Sequence, residues 1–450
     1  MDAMDGQARV VRSRRRALAS LATGAASATL ARCSWPPEPA TRPARAPARV
    51  AFWSYGGTGA VGPIMEKVAL EYQRRVPTTT IDFTGLPSAE IQDKLVVAMT
   101  AGAGPDIYYD SWRAFQRFMD NGWFLDITQE FGKRRYRPTD FYDVPLKAHQ
   151  LDGRQMGMPQ GWGTSLFGIN LDLFEQHGVT LTPGFDETWT QDDCVRLLKQ
   201  IVRYDDDGKM APHGGADDPI FFHWLYSYGA DFLTPDMSRA AVTTPEALAA
   251  AEWYARVHTG ERVFMRDGID KRAGIGFNLG NVAINGSGIP VDLPRWAQFP
   301  FRVNVFLRPR VPGARAGGGH VARMYMDSYL LFKHTRVRDA TVDFLFWLLD
   351  DGAVLIEREH GGINIPPYKK VAEEIFLKVP SPFNRKKWIE AAAQSRTDPK
   401  HPRWQPDLNQ IYGRYTAQLR TGQAAPREAM HNMAGEINAV LDEYRRQRAR

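Results

Sequence analysis

A chain of 450 residues, 43% hydrophobic and 24% charged, holds enough apolar material for two or three domain-sized cores. Its formal charge is +6, yet nine arginines fall in residues 1–50 against Asp2, Asp5 and Glu38, and the remainder is formally neutral. A neutral body has no net field to draw it to a polyanion, so nucleic acid is not an expected partner.

In chain order, the first segment is Ser13-Arg14-Arg15-Arg16-Ala17-Leu18, which resembles a twin-arginine export signal. The weakly apolar run Ala17–Leu30 that follows is too short and too polar to span a membrane. Leu30-Ala31-Arg32-Cys33 then resembles a lipobox ending on a lipid-accepting Cys33, with Arg32 standing where a small residue is usual. Residues 1–33 are read as the export signal, and residues 34–48 as a Pro/Ala-rich linker of polyproline character. The expected location is the periplasm or the outer face of the cytoplasmic membrane, with membrane contact only through the lipid. Cys33 and Cys194 are the only cysteines, so a cysteine metal site is excluded.

The body alternates short apolar runs with helical periodicity. Arg49–Trp53 reads as a strand, and Pro63 opens a helix with Ile64, Val68, Tyr72 and Val76 at intervals of four. Thr80–Phe83 is a second strand, Ser88 is a candidate cap for a helix carrying Ile91 and Leu95, and Asp106–Tyr109 is a third strand followed by a helix over Ser111–Asp120. The pattern restarts with extended chain at Gly157–Asn170, a short helix over Leu171–Gly178 and a capping box at Thr190–Asp193. Thr244-Pro245-Glu246 starts another helix, and Val282–Asn285 and Val303–Phe306 read as strands. Pro426–Tyr444 is helical, with Met430, Met433, Ile437, Val440 and Leu441 on one stripe. This alternation implies an α/β fold with helices over mainly parallel sheets.

Several fragments in register resemble a known family. They are Ala101–Ile107 (AGAGPDI), Asp152–Pro159 (DGRQMGMP), Leu166–Asn170 with Leu173-Phe174, Glu187–Thr190 (ETWT), Asp207-Gly208-Lys209, Gly280–Gly286 (GNVAING) and Thr421-Gly422 with Pro426–Ala429. In this order they resemble the bacterial extracellular solute-binding proteins of carbohydrate ABC importers. The resemblance covers nearly all of residues 49–445 and implies a two-lobed, type II periplasmic-binding-protein-like fold with a cleft between discontinuous lobes. Lobe 1 would take residues 49–158 plus 326–372, and lobe 2 residues 159–325 plus 373–450. The implied function is extracytoplasmic binding of a small molecule, a mono- or oligosaccharide, and its delivery to ABC transporter permease subunits. The resemblance implies a monomer without cofactor, metal or catalytic residue.

Sugars present apolar C–H faces beside hydroxyls, so their sites pair aromatic platforms with carboxylates and amides. Ligands of open α/β lobes sit at the carboxyl ends of strands. The candidate ligand residues, several of them at strand ends, are Trp53, Ser54, Asp110, Trp112, Trp162, His223 and Trp224 before the turn Tyr228-Gly229, Asn285, Asp327, and Trp404 in the loop before the final helices. Gly288 stands where the family often has an aromatic, so one common platform is absent. Two other readings stay open: an exported carbohydrate hydrolase or lyase using a carboxylate pair such as Asp110 and Asp327, and a binder of a non-sugar solute such as a sugar phosphate or polyamine. Asp205-Asp206-Asp207-Gly208 lacks the alternating ligands of a calcium loop and reads as a solvated turn.

Overall fold

A computed structural model describes residues 47–57, 61–212, 214–314, 320–361 and 364–450; the export signal, Cys33 and the linker before Pro47 lie outside the described residues. The strands in chain order are β1 (Ala48–Tyr55), β2 (Thr79–Leu86), β3 (Ile107–Ser111), β4 (Gln150–Leu151), β5 (Arg154–Gln155), β6 (Met158–Thr164), β7 (Leu166–Asn170), β8 (Ala216–Asp217), β9 (Ile284–Gly288), β10 (Val303–Phe306) and β11 (Met324–Leu331). They form a five-stranded sheet ordered β2-β1-β3-β11-β6, a four-stranded sheet ordered β10-β7-β9-β8, and the small hairpin β4-β5.

In the first sheet β1 runs parallel to β2 and β3, whereas β11 enters antiparallel between β3 and β6. Alternation explains β1: Val50, Phe52 and Ser54 point inward, and Phe52 meets Phe83 and Phe344 edge-on at 5.5 and 5.4 Å. The helices Val61–Arg75 and Arg338–Leu349 cover this face through Met65, Val68, Tyr72, Val342 and Leu345. On the opposite face Tyr108, Leu330 and Phe332 belong to the same core as Ile91 and Leu95 of helix Ile91–Thr100 and Phe115 and Phe118 of helix Trp112–Phe118. Helices on both faces make this an α/β layer.

Two local expectations shift. Ser88 does not cap the second helix; a turn at Pro87, whose carbonyl accepts from the Glu90 and Ile91 amides at 3.0 and 3.1 Å, does that work. The strand expected at Val282–Asn285 runs instead over Ile284–Gly288, with Val282 and Ala283 buried just ahead of it.

The second sheet packs with the helices Gln191–Ile201, Phe221–Ser227, Pro245–Ala255, Asn409–Thr421 and Pro426–Arg448. The Thr190–Asp193 capping box forms as spaced: Thr190 Oγ1 accepts from the Asp193 amide at 3.2 Å, and Asp193 Oδ2 accepts from the Thr190 amide at 2.9 Å. Gly168 and Gly288 lie under the Trp296 ring, and a Cβ at either position would collide with it. A buried indole from the following helix therefore occupies the space that a side chain at 288 would need.

The chain passes from the first sheet to the second at Ser165 and returns between Phe306 and Met324. Contacts also tie the two parts together: the Gln116 amide donates to the Pro399 carbonyl, Lys400 to the Gln150 carbonyl, and Tyr444 and Arg448 to Asp120. Among the described residues no helix is long and apolar enough to cross a membrane.

Candidate functional site

The carboxyl ends of β1 and β3 lie beside the amino end of β11, and this edge gathers the polar groups. Register pairs Asp327 with Ser111 on one side and with Gly161 on the other. A register shift follows, because Ser328 pairs with Pro159 and leaves Gln160 as an extra residue. Asp327 Oδ2 accepts from the Tyr55 hydroxyl at 3.2 Å and from Asn364 Nδ2 at 3.1 Å. Tyr109 Oη lies 3.1 Å from the same oxygen and 3.3 Å from Gln160 Oε1, its one proton serving both. Oδ1 takes none of these bonds, and the side chain keeps 8% of its surface. Burial raises the Asp327 carboxyl to about 7, opposed by the two phenols and assisted by the charge of Asp110. Gly161 makes room for this cluster, since a Cβ there would come within 2.7 Å of Asn364 Cβ.

Asp110 is one strand away and fully engaged. Oδ2 accepts from Tyr108 Oη at 2.5 Å and Gln92 Nε2 at 3.0 Å, and Oδ1 from the Ser111 amide at 2.6 Å. Burial pushes its carboxyl up. Trp53 is half-buried at the end of β1, and the buried Ser54 donates to the Tyr55 carbonyl at 3.0 Å. Trp112 and Trp162 are 4% and 1% exposed, so neither ring has an open face in this conformation. Trp162 lies on Tyr142 at 4.8 Å and is bridged to Ile365 by two backbone hydrogen bonds.

The second sheet's edge is closed by an ion pair. Arg308 Nη2 meets Asp218, Arg308 Nη1 donates to the Gly286 carbonyl at 2.8 Å, and Trp224 Nε1 donates to Asp218 at 2.9 Å. Trp224 is 1% exposed, lies 4.0 Å from Trp253, and has the Arg308 guanidinium over its ring at 5.1 Å. Asn285 closes a turn, its Oδ1 accepting from the Ser287 amide at 2.8 Å. Trp404 is fully buried among Phe222 and Phe232 at 5.5 and 5.3 Å.

His223 is buried at the junction. Its Nδ1 accepts from the Arg323 amide at 3.0 Å, and Nε2 lies 3.4 Å from Tyr325 Oη. Burial holds its imidazole far below the ordinary range, so it is neutral. Arg323 grips Asp398 through Nε and Nη2, both at 2.5 Å.

Thus Trp53, Ser54, Asp110 and Asp327 share one sheet edge with Trp112 and Trp162 packed beneath it. Trp224, His223 and Asn285 lie at or near the other edge, and Trp404 lies in the core. Tyr55, Tyr109 and Asn364, which hold Asp327, and Gln160, which shares the Tyr109 proton, are absent from the candidates named by sequence. So are Arg323 and Tyr325, which contact His223. Tyr325 lies two residues before Asp327, so proximity to a named candidate was the available signal.

The model of the bacterial extracellular solute-binding protein family matches residues 56–353. Binding proteins of Brucella abortus and Brucella suis, named no more specifically, are 27% identical over 199 residues, covering 43% of this chain and 46% of theirs. The matched segment thus spans about half the length of those relatives. Among solved structures, an ABC substrate-binding protein from Listeria monocytogenes in complex with cycloalternan superposes with a TM-score of 0.73 at 17% identity, over 88% of this chain and 99% of that one. A cyclic α-maltosyl-1,6-maltose binding protein from Arthrobacter globiformis gives 0.73 at 20% identity, over 88% and 100%. These likenesses establish the two-lobed fold, and the family match establishes membership: the chain belongs to the bacterial extracellular solute-binding proteins.

Proposed function

We infer that this protein is the extracytoplasmic binding component of an ABC importer, taking a carbohydrate between its lobes and handing it to membrane permease subunits without chemical change. The observation that carries this is the Asp327 carboxylate, fixed through one oxygen by Tyr55, Tyr109 and Asn364, its other oxygen taking no hydrogen bond among the described residues, at the sheet end where β1 closes with the half-buried Trp53 and with Tyr55. A preorganised acceptor and a partly open aromatic ring at the same sheet end suit a sugar, whose hydroxyl donates while its C–H face packs. The cyclic and linear oligosaccharides in the names of the solved neighbours support the same class.

In this reading lobe 1 is residues 49–158 plus 326–372 and lobe 2 the rest of the body. The twin-arginine segment exports the folded chain, and Cys33 carries the lipid. Isothermal titration across mono- and oligosaccharides tests the proposal. Saturable one-to-one binding with the sugar recovered intact is the expected result; shortened products would favour the hydrolase or lyase reading.

A further inference from the structure

Tyr325 and Asp327 stand two residues apart on one face of β11, and the neighbouring strand β6 sets a glycine opposite each: Gly163 pairs with Tyr325, and Gly161 with Asp327. The two glycines differ in what lies over them. Over Gly161 the Asn364 side chain crosses to Asp327, and a Cβ there would come within 2.7 Å of Asn364 Cβ. Over Gly163, a buried position, a Cβ would meet only Ile365 Cδ1, at 4.0 Å, among the described residues. The backbone at Gly163 is not left-handed, so conformation does not demand a glycine. What the missing side chain provides is space.

The side chains flanking that space carry unused chemistry. Tyr325 is half-buried, with the Arg323 guanidinium over its ring at 5.0 Å and, among the described residues, only the His223 ring as an aromatic neighbour, edge-on at 6.3 Å. Its phenol oxygen accepts from Ser165 Oγ at 3.0 Å. His223 accepts at Nδ1 from the Arg323 amide, so its neutral ring carries the proton on Nε2 and presents a second donor to Tyr325 Oη, 3.4 Å away. The phenol's own proton therefore has no acceptor among the described residues. Asp327 is its complement, with Oδ1 taking no hydrogen bond among them. A free donor and a free acceptor thus rise from one strand face, their Cα atoms about 6.6 Å apart. Hydroxyl groups both give and take a proton, so a ring bearing several satisfies both while its C–H face lies on the phenol. A carboxylate or phosphate would bring its charge against Asp327, and an ammonium could take no proton from Tyr325.

We propose that Tyr325 is a second aromatic platform for the ligand and that Gly163 is the position that decides which sugars enter. One neutral pyranose ring lies on Tyr325 with its edge in the space over Gly163, giving a hydroxyl proton to Asp327 and taking one from Tyr325. This rests on the carbohydrate reading and narrows it to neutral sugars whose ring fits over a residue without a side chain.

The test is isothermal titration of the full-length protein and its Gly163→Val, Tyr325→Phe and Tyr325→Ala variants with glucose, maltotriose, mannotriose and trigalacturonate. A neutral saccharide should bind the parent, and Gly163→Val should weaken it about tenfold or more. The unliganded thermal midpoint of that variant should stay near the parent's, because the new side chain fills ligand space and breaks no intramolecular bond. Tyr325→Phe keeps the ring and loses the proton, for a loss of about fivefold, and Tyr325→Ala loses both, for about tenfold or more. Gly163→Val and Tyr325→Phe decide the matter should Tyr325→Ala not fold. If a neutral saccharide binds the parent and all variants alike, the seat on Tyr325 is overturned and the carbohydrate reading stands. If trigalacturonate alone binds, the neutral-ring proposal is likewise overturned with the carbohydrate reading intact. If no saccharide binds the parent, the carbohydrate reading falls and the seat falls with it.

Discussion

Two sheet edges in this molecule each present an aspartate beside aromatic rings, and they have been finished in opposite ways. At the first, Asp327 is surrounded by neutral donors, keeps one oxygen without a hydrogen bond among the described residues and retains a sliver of surface. At the second, Asp218 is neutralised by Arg308, capped by the Trp224 indole and sealed against Gly286. Neutral hydrogen bonds orient a carboxylate but leave its charge available. A buried counter-ion consumes the charge and turns the same residue into a structural fastener. The same side-chain type is thus left available at one edge and built into the architecture at the other, and the partner decides which.

The largest separation between the edges should come from Arg308→Met. Leaving Asp218 buried and unpaired should cost about 3–5 kcal/mol of stability in chemical denaturation, while the fraction that remains folded binds ligand as before. Trp404→Ala and Trp162→Ala, whose rings are buried, should each cost about 3–5 kcal/mol, whereas Trp53→Ala should weaken ligand binding with a smaller change in midpoint. Equal stability losses at Trp53 and Trp404 would erase the distinction between platform and core.

Asp327→Asn should weaken ligand binding by about tenfold or more, because it removes the charged acceptor. Its effect on the free protein has a defined sign. The folded carboxyl is raised to about 7 from an unfolded value near 3.8, so the stability its burial contributes is complete in acid and is lost as pH rises through 7. The variant should therefore gain on the parent between about pH 4 and 7, seen by comparing denaturation midpoints at pH 5 and 8. Smallest of all, Asn285→Ala should cost about 1 kcal/mol of stability by releasing the Ser287 amide; a loss of affinity without that cost would move Asn285 from turn to ligand contact.

Local signals were legible in the sequence where neighbours along the chain decide the outcome. The alternation of β1, the Thr190–Asp193 capping box and the long apolar stripe of Pro426–Arg448 all involve residues a few positions apart. Asp110 and Asp327 were legible as site candidates because strand ends can be counted. What holds Asp327 was not, since Tyr55, Tyr109 and Asn364 come from three distant segments and meet only through the sheet order. The tryptophans show the same limit. Trp404 stood among the candidate ligand residues, in the stretch before the final helices, yet Phe222 and Phe232, far away in sequence, enclose it.

The three glycines of the second edge bear on how such a protein changes its ligand over generations. A methyl group at Gly168 or Gly288 meets the Trp296 ring, and one at Gly286 meets Asp218. No single codon change can therefore add a side chain there without first displacing a neighbour that the core depends on. New specificities are open to one-step variation along the first edge, at positions such as Trp53, whose side chain is only partly enclosed. At the second edge, a change of diet would have to wait for two mutations at once.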